Sequence, residues 1–128
     1  MRVVIAEDAV LLRDGLTRML GDRGHEVVAA VGDAGALVAA VEREQPDVAV
    51  VDVRMPPTFT DEGVRAALEV RERRPELAIL VLSQYVEERY AGELLARGAH
   101  GVGYLLKDRV TDVREFLDAV ERVAGGGT

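Results

Sequence analysis

The sequence predicts an α/β protein of the doubly wound (βα)5 type, a three-layer sandwich in which a parallel sheet lies between two layers of helices. Five short apolar runs alternate with segments in which apolar residues recur at helical spacing, as expected of consecutive βα units. The central run, 48–51, is apolar throughout and ends at the carboxylate of Asp52, which is typical of a strand covered on both faces. Because crossovers between parallel strands are right-handed, covering both faces requires a reversal of winding, and the expected strand order is 2-1-3-4-5.

The elements follow in chain order from apolar spacing and capping residues. The predicted strands are residues 3–6, 27–31, 48–51, 78–82 and 102–106. Asp33 is the expected N-cap of the second helix, which ends before Pro46. The third helix runs from about residue 61 to 74 and stops at Pro75, and the fifth begins after an expected cap at Thr111. The inward faces of the five helices are Leu12, Leu16, Met19 and Leu20; Leu37, Val38 and Val41; Val64, Ala67 and Leu68; Val86, Tyr90 and Leu94; and Val113, Phe116, Leu117 and Val120.

Size, composition and charge exclude several classes of protein. A chain of 128 residues is one domain of ordinary size, and 48% apolar with 30% charged residues is typical of a globular protein. With 23 acidic and 16 basic residues the net charge is -7, which disfavours binding to nucleic acid. Cysteine is absent, so disulfides and thiol chemistry are excluded. No apolar run has the length of a transmembrane helix and the first residues lack a signal-peptide pattern, so we expect a cytoplasmic protein with no membrane association.

Polar residues follow four of the five predicted strands. In a sheet of order 2-1-3-4-5 the winding reverses between strands 1 and 3, and ligands bind at the carboxyl ends of the strands beside that point. We therefore expect the acids after strands 1 and 3 to meet there, with the polar residues of strands 4 and 5 next to them. The second strand lies at the sheet edge, ends in Gly32 and is expected to contribute nothing chemical. The residues that follow the other strands are Glu7, Asp8, Asp52, Ser83 and Lys107.

Three clustered carboxylates indicate a cation site, because like charges in close contact raise one another's pKa. A hard divalent ion such as Mg²⁺ relieves this repulsion and is usually held by one or two carboxylates. Magnesium and Lys107 together would balance the three negative charges. A phosphoryl group bound there would meet a metal, an ammonium and a hydroxyl, the groups that stabilise phosphoryl transfer. Asp52 is then the candidate nucleophile, forming an aspartyl phosphate.

On these residues the chain resembles the receiver domain of bacterial two-component response regulators, which has a flavodoxin-like fold. The resemblance rests on Glu7-Asp8 after strand 1, Asp52 followed by Met55-Pro56, Ser83 after Leu-Val-Leu, and Tyr104-Leu105-Leu106-Lys107 preceded by Gly98-Ala99-x-Gly101. It implies that Asp52 is the phosphoacceptor and that Glu7, Asp8, Asp52 and the backbone carbonyl of Arg54 bind Mg²⁺.

The same resemblance implies roles for the remaining residues near the site. Ser83 and Lys107 would bind phosphoryl oxygens, and Tyr104 would act with Ser83 as a switch that changes the face formed by helix 4, strand 5 and helix 5. Arg54 and Tyr85 would flank the approach of water and set the rate of self-dephosphorylation. Apart from that slow reaction, the chain is not expected to be an enzyme.

The ending of strand 5 and the segment 116–127 resemble the subfamily with LuxR-type helix-turn-helix output domains. This implies a sensor histidine kinase as partner, a homodimer on activation, and regulation of transcription through a C-terminal DNA-binding domain outside this chain. Residues 1–124 are the expected receiver domain, and the glycine-rich residues 125–128 the start of a linker. The alternative is a stand-alone receiver that acts through protein partners.

Two other classes that use this type of sheet fit the residues poorly. A haloacid-dehalogenase-like phosphatase needs a second acid two residues after its nucleophile, where this chain has Arg54. A flavin carrier needs a phosphate loop rich in serine, threonine and glycine after strand 1, where this chain has Glu-Asp-Ala-Val. The chain departs from the common receiver pattern in two places. About three extra residues lie between Asp52 and Gly63, at 57–60, and Lys107 is followed by Asp108 rather than proline.

Overall fold

The computed structural model describes residues 1–84 and 101–127, and it contains a five-stranded parallel sheet of order β2-β1-β3-β4-β5. The predicted fold class and strand order are therefore confirmed. The strands are β1 (Arg2–Ala6), β2 (Glu26–Val31), β3 (Val48–Asp52), β4 (Ala78–Ser83) and β5 (Val102–Leu106). The described helices are α1 (Val10–Asp22), α2 (Ala34–Glu44), α3 (Glu62–Arg73) and α4 (Val113–Ala124). The helix labelled α4 is the fifth of the predicted helices. The helix predicted around Val86, Tyr90 and Leu94 lies outside the described residues.

Two apolar layers cover the sheet because successive residues of each strand point to opposite faces. Val4, Ala49 and Ile79 pack with α2 and α3 on one face. Val3, Val50 and Leu80 pack with α1 and α4 on the other. All five residues of β3 are buried, so the central strand is covered on both faces, as its apolar run predicts.

The caps of α2 agree with the sequence. Asp33 Oδ1 accepts a hydrogen bond of 2.8 Å from the amide of Ala36, which satisfies one of the free amides of the first turn. At the other end Gln45 takes the left-handed conformation with φ 48°, and Pro46 follows it. None of the described helices is long and apolar enough to cross a lipid bilayer.

The predicted start of the last helix is wrong by one residue. Asp112, not Thr111, is the N-cap of α4, and its Oδ1 accepts from the amide of Glu115 at 3.1 Å. Residues Lys107–Thr111 form a 3-10 turn, and the Thr111 hydroxyl donates to the carbonyl of Asp108 within that turn. The turn directs the start of α4 toward solvent, so Val113 is 44% exposed and does not belong to the inward face.

The glycines that follow α4 have ordered backbone contacts. The amides of Gly125, Gly126 and Gly127 donate to carbonyls of the last turn of the helix, at 3.0 to 3.1 Å for the first two and 2.9 Å for the third. The carbonyls of Gly126 and Gly127 in turn accept from the amide of Gly101, at 3.3 and 3.2 Å. The backbone up to residue 127 is therefore held against the start of β5.

Candidate functional site

The carboxyl edge of the sheet brings the predicted site residues together. In the register of the sheet, Ala6 pairs with Val51, Asp52 with Leu82 and Ser83 with Leu106, so the residues that end these strands lie side by side. Ligand oxygens of Glu7, Asp8 and Asp52 all lie within 4.8 Å of one another. Glu7 is 0% and Asp52 2% exposed, and Ser83 is also buried. The site is therefore an acidic cluster at the bottom of the crevice rather than a patch of surface acids.

Lys107 joins this cluster from the first residue of the 3-10 turn. Its Nζ donates a hydrogen bond of 3.1 Å to Glu7 Oε1. The same Nζ lies 3.0 Å from Asp52 Oδ2 as an ion pair. One ammonium thus contacts two buried carboxylates on different strands.

The charge of the cluster is not balanced by Lys107 alone. Burial and the charge of Glu7 raise the pKa of Asp52, the Lys107 ammonium lowers it, and the net result is a pKa of about 7. Burial tends to lower the pKa of Lys107, but the charges of Asp52 and Glu7 outweigh it, and the net direction is upward. Burial, together with the negative charge of Glu7, explains why Asp52 does not have the low pKa of a simple ion pair.

Two buried carboxylate oxygens of the cluster accept no hydrogen bond from the described residues, although Lys107 lies within ion-pair distance of one of them. Among the described residues, Glu7 Oε2 and Asp52 Oδ2 are buried and accept no hydrogen bond. Leaving such groups unsatisfied is costly, and a metal ion is one of the few partners that can satisfy several at once. Carboxylate oxygens are the ligands that Mg²⁺ prefers, so the residues fit that ion. The backbone of Arg54 lies beside the same group, with its amide 3.3 Å from Asp52 Oδ1.

Gly63 holds the backbone of the candidate nucleophile in place. The sequence did not predict this role. The Gly63 amide donates to the carbonyl of Val53 at 2.9 Å, and the amide of Val53 donates to Leu82 of β4 at 3.0 Å. A Cβ added at Gly63 would overlap the carbonyl oxygen of Asp52. Only glycine therefore allows α3 to begin directly against β3. The one signal in the sequence is a glycine in the first turn of a helix.

The longer loop at 57–60 is ordered by a single carboxylate. Glu62 accepts from the amides of Thr58 and Thr60, at 2.8 and 3.1 Å, and from the Thr58 hydroxyl. The hydrogen bond from the Thr58 side chain is the main reason that the pKa of Glu62 is lowered to about 2. Phe59, in the left-handed conformation with φ 56°, stands 48% exposed at the tip. The loop is thus a compact turn beside the site.

Of the two tyrosines predicted near the site, the structure describes Tyr104 but not Tyr85. Tyr104, on β5, is half-buried and packs against the apolar layer formed with α2 and α3. Tyr85 falls outside the described residues. The structure thus places Tyr104 two strands from Asp52, with Ser83 on the strand between them.

A doubly wound sheet with an acidic crevice and a lysine at its carboxyl edge defines a receiver-type signalling domain. The response regulator receiver domain family matches residues 3–121, and the chain belongs to that family. Proteins of this family are signalling proteins rather than typical enzymes, and they bind Mg²⁺ at an acidic cluster of the kind that Glu7, Asp8 and Asp52 form.

The relatives are transcription regulators of the LuxR type. The transcriptional regulatory protein DegU of Brevibacillus brevis is 38% identical over 128 residues, which are 99% of this chain and 51% of DegU. The oxygen regulatory protein NreC of Staphylococcus haemolyticus is 36% identical over 129 residues, 100% of this chain and 57% of NreC. A LuxR-family two-component response regulator from Aurantimonas sp. SI85-9A1 is 26% identical, with a TM-score of 0.83 over 98% of this chain and 86% of that chain.

These comparisons confirm the predicted resemblance to receivers of LuxR-type regulators. The chain is a receiver domain of the kind found in two-component systems. The chain spans about half the length of the curated relatives it matches.

Proposed function

We propose that this domain is the phosphorylation-dependent switch of a two-component phosphorelay, in which Asp52 accepts a phosphoryl group with Mg²⁺ bound. The observation that carries the proposal is the Asp52 carboxylate, buried between Glu7 and Lys107, together with Glu7 Oε2, a buried carboxylate oxygen that accepts no hydrogen bond from the described residues. Such a group is costly in the resting protein and is relieved by a metal and by reaction with an electrophile. All five positions that the reaction needs carry a suitable side chain, which supports a functional phosphoacceptor. They are Glu7, Asp8, Asp52, Ser83 and Lys107.

The roles follow from the positions of the side chains. Glu7, Asp8, Asp52 and the Arg54 carbonyl would hold Mg²⁺, which when bound neutralises negative charge on the incoming phosphoryl group. An oxygen of Asp52 attacks phosphorus, and the bond between phosphorus and the donor atom breaks with its electron pair leaving on the donor. Lys107 and the hydroxyl of Ser83 would each bind a phosphoryl oxygen. The donor is a phosphohistidine of a sensor histidine kinase or a small acyl phosphate.

The response to phosphorylation would pass along the edge of the sheet. The new charge at Asp52 would draw the Ser83 hydroxyl toward it, and Tyr104 would move inward into the space released. This changes the face formed by β5 and α4 and promotes a homodimer. The output would be a C-terminal helix-turn-helix that binds DNA, since the receiver itself carries a net charge of -7. Such a protein would act in the cytoplasm.

Intact-mass measurement after incubation with acetyl phosphate tests the proposal. The wild type should gain one phosphoryl group with Mg²⁺ and none with EDTA, and Asp52→Asn should gain none under either condition. Asp14→Asn, which changes an exposed acid on α1, is the matched control and should behave as the wild type. A phosphoryl group on the Asp52→Asn protein, or incorporation that does not need the metal, would overturn the assignment.

A further inference from the structure

Arg13 and Gly32 form an arrangement behind the acidic cluster that the proposed function does not use. Arg13 lies on the second turn of α1, and its Nη1 donates a hydrogen bond of 3.0 Å to the backbone carbonyl of Glu7. Gly32 follows β2, the strand expected to contribute nothing chemical. A Cβ added at Gly32 would lie 2.8 Å from Arg13 Nη1 and 4.0 Å from the Cα of Asp8.

The hydrogen bond from Arg13 completes the fixation of the Glu7 backbone. On one side the amide of Glu7 donates to the carbonyl of Val31 at 2.9 Å. On the other side the Glu7 carbonyl accepts from Arg13. That carbonyl belongs to the peptide that joins Glu7 to Asp8, so its orientation sets the positions of both carboxylates. Releasing it would allow the peptide to rotate and would move both acids relative to Asp52.

Gly32 provides the space that this contact requires. The distance of 2.8 Å is shorter than real Cβ atoms allow, so a side chain at position 32 must displace the guanidinium. Because the displaced atom is the end of a long, flexible side chain, the backbone need not move. Alanine at position 32 is therefore expected to remove the Arg13 contact while preserving the fold.

Arg13 contacts the backbone of the acids that it positions rather than their carboxylates. Among the described residues it forms no ion pair with Glu7, Asp8 or Asp52, and its hydrogen bond goes to an uncharged carbonyl. A guanidinium paired with the carboxylates would compete with a metal for the same oxygens. In its observed place it can support the ligands without occupying their lone pairs.

We propose that Arg13 is a positioning residue for the metal site and that Gly32 is the position that admits its guanidinium. The proposal rests on the proposed function to the extent that the acidic cluster binds Mg²⁺. Groups that orient metal ligands from outside the coordination sphere commonly change metal affinity by a factor of about 10 or more when they are lost. We expect an effect of that size here.

A double-mutant cycle on Mg²⁺ affinity tests the proposal. The dissociation constant is measured by titrating MgCl₂ into the wild type, Gly32→Ala, Arg13→Ala and the double variant, and following backbone amide chemical shifts. Gly32→Ala should raise the dissociation constant roughly 10-fold. The same substitution in the Arg13→Ala background should have no effect, because the atom that it displaces is absent. Gly15→Ala on α1 has open space around the added Cβ and is the matched control.

The cycle avoids an ambiguity in the single Arg13→Ala variant, which removes a positive charge near the site as well as the contact. Melting temperatures of all variants separate positioning from folding, since a merely structural role lowers the melting temperature without changing metal affinity. If Gly32→Ala is too unstable to titrate, the double variant must fold again, because its clash is gone. A double variant that stays unfolded would overturn the proposal.

The remaining outcomes distinguish this proposal from the proposed function. Equal Mg²⁺ affinity in the wild type and Gly32→Ala overturns the role of Gly32 and Arg13 while leaving the site assignment intact. A Gly32→Ala effect that persists in the Arg13→Ala background also overturns it. A wild-type protein that does not bind Mg²⁺ overturns both proposals.

Discussion

The Lys107 ammonium lies 3.0 Å from Asp52 Oδ2, yet the pKa of Asp52 is raised from 3.8 to about 7. Burial and the charge of Glu7 outweigh the attraction of the lysine. Because the folded-state pKa exceeds the unfolded one, the folded protein binds more protons between pH 4 and 7. The contribution of Asp52 to stability without metal therefore falls as the pH rises through that window.

Asp52→Asn should remove this dependence. In EDTA the free energy of unfolding of the variant, relative to the wild type, should rise by about 2 to 4 kcal/mol between pH 4 and pH 8. Addition of Mg²⁺ at pH 8 should narrow the gap by stabilising the wild type. Urea unfolding at both pH values measures it, with Asp14→Asn as the control. A gap that does not change with pH would show that Asp52 ionises without cost.

The contact between Gly63 and the backbone of Asp52 predicts that Gly63→Ala is destabilising. The added Cβ overlaps the Asp52 carbonyl, and such overpacking commonly costs about 1 to 3 kcal/mol. Gly15 lies within α1, and a Cβ added there meets open space. Gly15→Ala should therefore stabilise the domain by up to about 1 kcal/mol, because alanine has the higher helix propensity. Thermal unfolding of both variants compares the two sites. Equal melting temperatures would contradict the close approach of α3 to β3.

The Glu62 carboxylate should control the order of the loop at 57–60. In Glu62→Gln the amides of Thr58 and Thr60 lose a charged acceptor and should exchange with deuterium faster than in the wild type. Glu69→Gln, on the same helix but paired with Arg73, serves as control and should leave these amides unchanged. Since the pKa of Glu62 is lowered to about 2, the protection should persist from neutral pH until the pH falls toward that value.

The capping of α4 gives a direct comparison of neighbouring residues. Asp112→Ala removes the acceptor of the Glu115 amide and should destabilise the domain by about 1 kcal/mol. Thr111→Ala removes only a hydrogen bond inside the exposed 3-10 turn and should cost less. Chemical denaturation of both variants decides between them. A larger loss in Thr111→Ala would restore the cap that the sequence suggested.

The side chain of Arg54 should slow the hydrolysis of a phosphorylated Asp52. The residue is half-buried beside the carboxylate, where a long side chain restricts the in-line approach of water. Arg54→Ala should therefore lose its phosphoryl group faster than the wild type in a time course of intact-mass spectra. Arg65→Ala, on the exposed face of α3, is the control for loss of an arginine. Identical decay in all three proteins would exclude the steric effect.

The strands and the clustering of Glu7, Asp8, Asp52 and Lys107 could be predicted because both depend on local patterns in the sequence. A fully buried strand must be apolar at every position, and residues that end such strands meet at one edge of a parallel sheet. Thr111 and Asp112 could not be ranked, because both residue types cap helices and the 3-10 turn that decides between them is a tertiary feature. Gly32, Gly63 and Glu62 escaped prediction for a related reason. Each acts through a neighbour distant in sequence, or through the shape of a loop whose length departs from the family pattern.

The backbone contacts between Gly101 and the glycines after α4 have a mechanical consequence. The amide of Gly101 is bonded to the carbonyls of Gly126 and Gly127, and its own carbonyl accepts from Ile79 on β4 at 2.8 Å. A pull or twist applied beyond residue 127 would therefore reach the first residue of β5 through peptide groups alone. That strand carries Tyr104 and leads directly into Lys107. Residue 127 and the acidic cluster are thus connected through β5 and a short series of backbone hydrogen bonds.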